Sequence, residues 1–599
     1  MYLRKIRPRG KGRRQIYWEL VESYRTAKGS RQRTVAYLGK LSRRELNGWQ
    51  TLSRRLNGQA PPMPTLFDSP EPHDGPDLHW VDTHNVRVQR MRRFGDVYLA
   101  WTLWRILGLD TLLAAKMPVG REEVPWATVA AILAIGRFCR PSSELYIEKH
   151  FYPQSALEDL LGVDPDQVHT DRLYAGLDQL IPQKKAIEQH LRQRLGELFE
   201  LSYDVLLYDL TSTYFEGACA ANPMAQRGYS RDSRPDCLQV VIALIVTTDG
   251  YPLGYEVFDG NTSDATTVQK IVRKVEAEHG KSQRIWVMDR GNVSAANLQF
   301  LRKSGSHYIV GTPKALLRQV RGELTKEGWQ QVREGIQVKV VSVPEVPAET
   351  LILCRSQDRI DKEVAMLERF CQRMQKGLEA LQKAAESGRL KDSGQAHLRL
   401  GRLTEQNWRA SECFTVEITP IQEPNHKAKL RVTWQMDEQA KKDLCGCYLL
   451  RTNLAQVDPV ALWKQYIQLV DAEWAFRISK DELELRPIWH QYEDRVKAHI
   501  LVCFIAYAMW KTLSGWMAAS GLGEAPRPLV EELARVQSGD VVLPTRNDDG
   551  TPGPILTVRC VTQPDPHLAV LLHRLGLRLP NHLKRFRQEA RPRLAQSGL

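Results

Sequence analysis

At about residue 201 the hydrophobic period of this chain changes, and the change limits the folds open to it. Before that point apolar residues recur at three and four positions, in VYLAWTLWRILGLDTLL and in PWATVAAILAIGRF, which predicts a bundle of short helices over residues 85–200. After it come strand-like runs: VLLYDLTSTYF, then LQVVIALIVTTDGYPLGYEVF, whose Asp-Gly divides two apolar stretches as in a hairpin. A helical TTVQKIVRKVEAEHG follows, then the strand RIWVMD, the helix SAANLQFLRK and the strand HYIVG. Three strands, helix, strand, helix, strand is the order of a mixed α/β layer. It predicts Asp209 and Asp289 at the C-terminal ends of strands, where open α/β sheets bind ligands.

The flanking chain is organised differently. A length of 599 residues exceeds what one core supports, so several domains are expected. Residues 1–60 hold a basic arm and a small β element, with YWELVESYR and RQRTVAYLG joined by the turn-like AKGS. Residues 61–84 form a linker dense in Pro and Asp. The strand-helix region runs over 201–312. Residues 313–446 combine strand-like pieces with a charged helical segment, DKEVAMLERFCQRMQKGLEALQKAAESGRL, expected as a two-helix surface hairpin or a coiled-coil arm. The sheet region resumes over 447–515, and a C-terminal region covers 516–599.

A net charge of +14 points to an acidic polymer as partner, and nucleic acid is the commonest. MYLRKIRPRGKGRR carries seven Lys or Arg and no acid, and KRFRQEARPR near the end repeats the bias. Either stretch can touch phosphates or remain a solvated tail. The ten cysteines are scattered, with no Cys-x-x-Cys pair or Cys/His cluster for zinc. With no signal-like N-terminus, a cytoplasmic protein with reduced thiols is expected. AHILVCFIAYAMW, residues 498–510, is too short to span a bilayer and predicts a buried helix, so no membrane association is expected. A phosphate-cradling Gly-Lys loop is absent, so ATP use is not expected.

Three acids stand out: Asp209, Asp289 in WVMDRG, and Glu473 in the helix DPVALWKQYIQLVDAEWAFRISK. Singly, each is an ordinary turn or surface acid. Jointly, carboxylates from two strand ends and a nearby helix can hold two hard divalent cations. Two such ions, roughly 4 Å apart, stabilise the attacking and leaving oxygens of an in-line phosphoryl displacement.

The order of YDLTSTYFEG, GYSRDSRPD, QVVIALIVTTDGYPLGYEVFDGNTSD, VMDRGNVSAANL and YIQLVDAEWAFRISKDELELRPIWH resembles bacterial insertion-sequence transposases of the DDE class. The resemblance covers about residues 200–515 well and the N-terminal region more loosely. It implies a ribonuclease H-like catalytic core interrupted by a β-rich insertion with a helical arm, preceded by a helical DNA-binding or dimerisation domain. It also implies Asp209, Asp289 and Glu473 as catalytic metal ligands for two Mg²⁺ ions, replaceable by Mn²⁺. The branch pattern around the last acid is Tyr, two residues, Arg, three residues, Glu, six residues, Lys. This chain supplies Tyr466, Glu473 and Lys480 but has Leu469 where the Arg is expected. On one continuous helix, residues seven apart share a face, so Tyr466, Glu473 and Lys480 would address one DNA strand end. Arg477, a turn beyond Glu473, is the candidate to replace the missing Arg, and the alternative is an intrahelical ion pair with Glu473. Arg290, Asn261 and Asp264 match positions near the site, and Arg486 and His490 are weaker phosphate candidates.

The function these readings predict is binding of double-stranded element ends, by a homodimer in the DNA complex, followed by their cleavage and joining of the 3′ hydroxyls to target DNA. The alternatives are a ribonuclease H-like nuclease without joining, and a non-catalytic DNA-binding descendant.

Overall fold

A computed structural model of the chain describes residues 2–6, 16–26, 29–41, positions 46, 49, 50 and 53, and 79–583 apart from 281–282, 343–348, 391, 422–429, 438–443, 456–457 and 548. Residues 61–78 of the expected linker, most of the basic arm and the C-terminal KRFRQEARPR lie outside the described residues, whereas the linker's last residues hold a short strand, Trp80–Val81. The chain divides into two compact units: Met1–Met91 with Ser538–Val561 and Pro580–Leu599, and Arg92–Gln537 with Thr562–Leu579.

The first unit is built from β structure. Tyr2–Ile6, Tyr17–Thr26 and Gly29–Gly39 form a three-stranded antiparallel sheet, in which the two long strands are the predicted pair. A second small sheet pairs Gln537–Arg546 with Pro552–Val561 and with Trp80–Val81. Asp540 and Arg559 are direct cross-strand partners, and the Arg559 Nε donates to Asp540 Oδ1 at 2.7 Å in a buried pair. Opposite charges facing each other across a ladder help hold its register.

The second unit contains a nine-stranded mixed sheet. Its strands are β1 (Val205–Tyr214), β2 (Gln239–Thr247), β3 (Pro252–Asp259), β4 (Ile285–Met288), β5 (His307–Gly311), β6 (Gln330–Arg333), β7 (Ile336–Val341), β8 (Thr350–Ser356) and β9 (Cys447–Thr452). Their spatial order is β6-β7-β8-β9-β5-β4-β1-β2-β3. β2 reads QVVIALIVT and is buried along its whole length, as expected of a strand covered on both faces. The β2–β3 turn places Gly250 at φ 76°, a left-handed conformation that glycine adopts without a Cβ penalty. β6, β7 and β8, all from the 313–446 segment, extend this same sheet.

The pleat sends alternate residues of β1 to opposite faces. Leu206, Tyr208 and Leu210 enter a core with Val268, Ile271 and Val272 of helix α3 (Asp264–His279) and Leu298 and Leu301 of α4 (Ala295–Ser304). Before these in the chain lie α1 (Trp126–Cys139) and α2 (Thr170–Leu180). After β8 come α5 (Gln357–Glu386) and α6 (Ser393–Gln406), an adjacent helix pair that packs with the hairpin Phe414–Pro420/Leu430–Met436 around Met374, Leu378 and Trp434. The charged segment is thus not a hairpin in itself: it forms the single long helix α5, and α6, beyond its end, supplies the second arm.

On the other face of the sheet lie α7 (Pro459–Ile467), α8 (Leu469–Arg477) and α9 (Glu493–Ala519). Ile242 and Leu244 of β2 meet Phe476 of α8 and Cys503, Phe504 and Tyr507 of α9. α9 also packs against α1 and α2, so it is enclosed on two sides. It is long and apolar enough to cross a membrane, but 83% of its most apolar window is buried inside the fold. The predicted buried segment 498–510 lies within it.

Candidate active site

Asp209 and Asp289 meet through strand register. β1 and β4 are parallel, with Tyr208 opposite Met288, so the two aspartates are the next residues on neighbouring strands. Adjacent strands lie about 4.8 Å apart. Asp209 is not at the end of its own strand, as the sequence suggests. β1 continues to Tyr214 because its second half pairs with β2, and Asp209 stands where its parallel neighbour stops. Since Tyr208 faces α3, Asp209 faces α8.

α8 carries the third acid. Leu469, Ala472, Ala475 and Phe476 are its buried face, and Glu473 is exposed on its flank. Burial is the first cause that raises the proton affinity of Asp209; Glu473 and Asp289 add to it, and its pKa is pushed up to about 7 despite the opposing backbone hydrogen bond at Leu210. Glu473 is raised too, by burial first and then by Asp289. Asp209 and Glu473 therefore both lie in the field of the Asp289 carboxylate.

The predicted continuous helix through this region is broken twice. α7 ends at Ile467, Gln468 separates it from α8, and a π turn spans Ile478–Glu482. The even rotation that would set Tyr466, Glu473 and Lys480 on one face does not run through these breaks. Tyr466 belongs to α7, and its Oη lies so close to Gly311 that a Cβ there would stand 2.9 Å from it. Arg290, exposed beside Asp289, borders the same glycine, its Cβ 3.6 Å from that position. Lys480 sits in the π turn, with its Nζ 2.8 Å from Asp232 Oδ1.

Asp209, Thr211, Glu473, Arg477, Lys480 and Arg486 line an open cleft of roughly 330 Å³, together with Arg231 and Asp232. Asp232 is buried and takes both Lys480 and Arg486 on Oδ1. Arg486 also reaches Asp481 at 2.9 Å. Arg231 pairs with Asp264, and its backbone N–H donates to Ser212 Oγ of β1 at 3.0 Å. Gln239 fastens the loop that holds these residues, donating to the carbonyls of Tyr229 at 3.1 Å and Gly260 at 2.8 Å. Arg477 is exposed, stacks over Trp474 at 4.9 Å and lies 3.8 Å from Asp481, so its ion-pair partner is Asp481 and not Glu473. Asn261 is exposed.

His490 lies elsewhere, in a buried cluster with Glu144 and His499. Its Nε2 is 3.4 Å from Glu144 Oε1. Both His499 ring nitrogens have partners, Arg137 at 3.4 Å on Nδ1 and the Leu485 carbonyl at 3.3 Å on Nε2. A cation there would face the Arg137 guanidinium, so this cluster is a structural network. The oxygen-only set of Asp209, Asp289 and Glu473 is the one whose chemistry fits a hard divalent cation.

Residues 200–509 match the family described as transposase DDE domain. The chain belongs to that family. Residues 3–63 match the IS1634 family transposase N-terminal domain, so the chain is an insertion-sequence transposase of the DDE class. No curated protein matches it. A piggyBac transposase chain, from a cryo-EM structure of its synaptic complex with hairpin DNA, aligns at a TM-score of 0.34 and 8% identity, over 76% of this chain and 82% of that one. Domains of the matched DDE family generally use divalent metal ions. The sequence signal for Arg231 and Asp232 is an acid flanked by arginines in the Gly-led loop GYSRDSRPD, just before a buried strand.

Proposed function

We propose that this transposase binds the inverted ends of its element, hydrolyses a phosphodiester at each end and joins the freed 3′ hydroxyl to target DNA. The observation that carries the reading is the meeting of Asp209 and Asp289 on neighbouring strands with Glu473 across from them, beside a cationic rim. The order of β1 to β5, three antiparallel strands followed by two parallel ones, supports a ribonuclease H-like core. Asp209, Asp289 and Glu473 would hold two divalent ions, Mg²⁺ in the cell, and those ions supply nucleophile activation and leaving-group stabilisation.

The chain's own residues do the rest. The strand scaffold keeps Asp209 and Asp289 at fixed separation, which the geometry of in-line displacement demands. Arg231, Arg477 and Arg486 present guanidinium groups along the cleft and orient the DNA backbone, and Arg290 and Tyr466 border the Asp289 side. Joining is a transesterification, so no ATP is consumed and no covalent protein–DNA bond is needed.

The test is substitution of each acid without change of bulk. Asp209→Asn, Asp289→Asn and Glu473→Gln are expected to abolish nicking and joining in Mg²⁺ while mobility shifts on end DNA stay near wild type, because affinity comes mainly from Lys and Arg. Substantial cleavage by any one variant removes that residue from the triad. Cleavage without joining of pre-cut ends by the unaltered chain would make it a nuclease only.

A further inference from the structure

Six of the nine strands of the large sheet, β1, β3, β4, β5, β6 and β8, run in one direction. β4 and β1 are parallel, β5 is parallel to β4, and β9 is antiparallel to both β5 and β8. β8 therefore points the same way as the strands beside Asp209 and Asp289, and its last residue, Ser356, emerges at the same sheet edge. α5 starts at the next residue, with Arg359 in its first turn and Ser356 as its N-cap.

Arg359 is turned toward the face that carries α7 and α8. Its guanidinium lies 4.4 Å over the ring of Tyr448, and the Tyr448 hydroxyl accepts a 2.6 Å hydrogen bond from Trp463 Nε1 of α7. Tyr466 stands one turn further along α7, next to Gly311. Arg359 is exposed and forms no ion pair with any described residue. Lys480 and Arg486, by contrast, share Asp232 as an ion-pair partner. An exposed guanidinium oriented by an aromatic ring keeps N–H groups for solvent or for an anion brought by the substrate.

We propose that Arg359, at the start of α5, binds a DNA phosphate next to the scissile bond on the Glu473 side of the site. This inference rests on the transposase reading above. The stack on Tyr448 removes much of the side chain's freedom, so two N–H groups can meet one phosphate without a large ordering penalty. α5 lies outside the five strands that position the acids, so one of its residues would take part in holding the strand to be cut.

The experiment uses the full chain and a duplex carrying the terminal inverted repeat of its own element, with single phosphates near the cut replaced by methylphosphonates. In Mg²⁺, Arg359→Ala is expected to lower kcat/KM for joining of pre-cut ends about tenfold to a hundredfold, mainly through KM, at an unchanged thermal midpoint. Arg359→Lys should keep part of the activity, and Arg373→Ala on the same helix should match the unaltered chain. In mobility shifts, which need no chemistry, one neutralised phosphate should weaken binding by the unaltered chain and leave Arg359→Ala indifferent. Activity of Arg359→Ala within twofold of Arg373→Ala, or equal sensitivity of both proteins to every methylphosphonate, overturns the proposal. If the unaltered chain neither nicks nor joins, the transposase reading fails, and the mobility shifts still decide the role of Arg359.

Discussion

Asp232 holds two cations with one oxygen, and its second oxygen, Oδ2, is buried with no hydrogen-bond partner. A carboxylate removed from water in this way has Lys480 and Arg486 as its partners, and it fixes where both side chains point. Asp232→Asn would leave two positive charges facing an amide. We expect a loss of about 3 kcal/mol, since removing one partner of a buried pair strands the others, and urea denaturation checks it. Nicking should fall with it, because the cleft wall that Lys480 and Arg486 form would loosen. Asp209, Asp289 and Glu473 could be picked from the sequence because each interrupts or follows an apolar run. Asp232 could not, because a loop has no period against which a charged residue looks misplaced.

Among the elements, α7 and α8 depart most from the sequence reading. QYIQLVDAEW contains neither Gly nor Pro, so nothing local announces the break at Gln468. Packing produces it: α8 buries Leu469, Ala472 and Phe476 on the sheet, and α7 runs over β4 and β5. The same region hangs on the Glu144, His490 and His499 network, which Arg137 ties to the carbonyls of Leu483 and Glu484. Burial, then the neighbouring Arg137 and His490, hold the His499 pKa well below 6.5, so it is neutral in the fold. Burial works against the Glu144 carboxylate, yet its hydrogen bond with His490 leads the influences that hold its pKa down to about 2. The unfolded chain takes up a proton at His499 where the folded one does not, so that contribution is present above pH 6.5 and lost as pH falls toward the folded value. The Glu144 contribution holds above 4.5 and fades between there and about 2. Thermal midpoints are therefore expected to fall below pH 6.5. A His499→Gln chain should show a lower plateau and a flatter profile between pH 6.5 and 5.

At the scale of the molecule, distant parts of the chain complete one another. Thr545 and Arg546 pair with Val81 and Trp80, and Arg546 reaches Asp82 at 3.1 Å. A chain stopped after Gln537 loses those partners. Limited proteolysis is expected to cut it within 79–91 at protease levels that spare the full chain, and equal resistance would count against this pairing. Sequence by itself determined the mixed α/β character, the change of architecture near residue 201 and the β2–β3 hairpin, and it singled out the three acids as candidates, because period, turn chemistry and a carboxylate among apolar residues are local signals. Only the tertiary structure decided that β6, β7 and β8 extend the same sheet, that α7 and α8 separate, and that Asp232 and Arg359 stand beside the acids. Those outcomes depend on which strand finds which neighbour and on which charges share a desolvated space, and both are set by residues far apart in the chain.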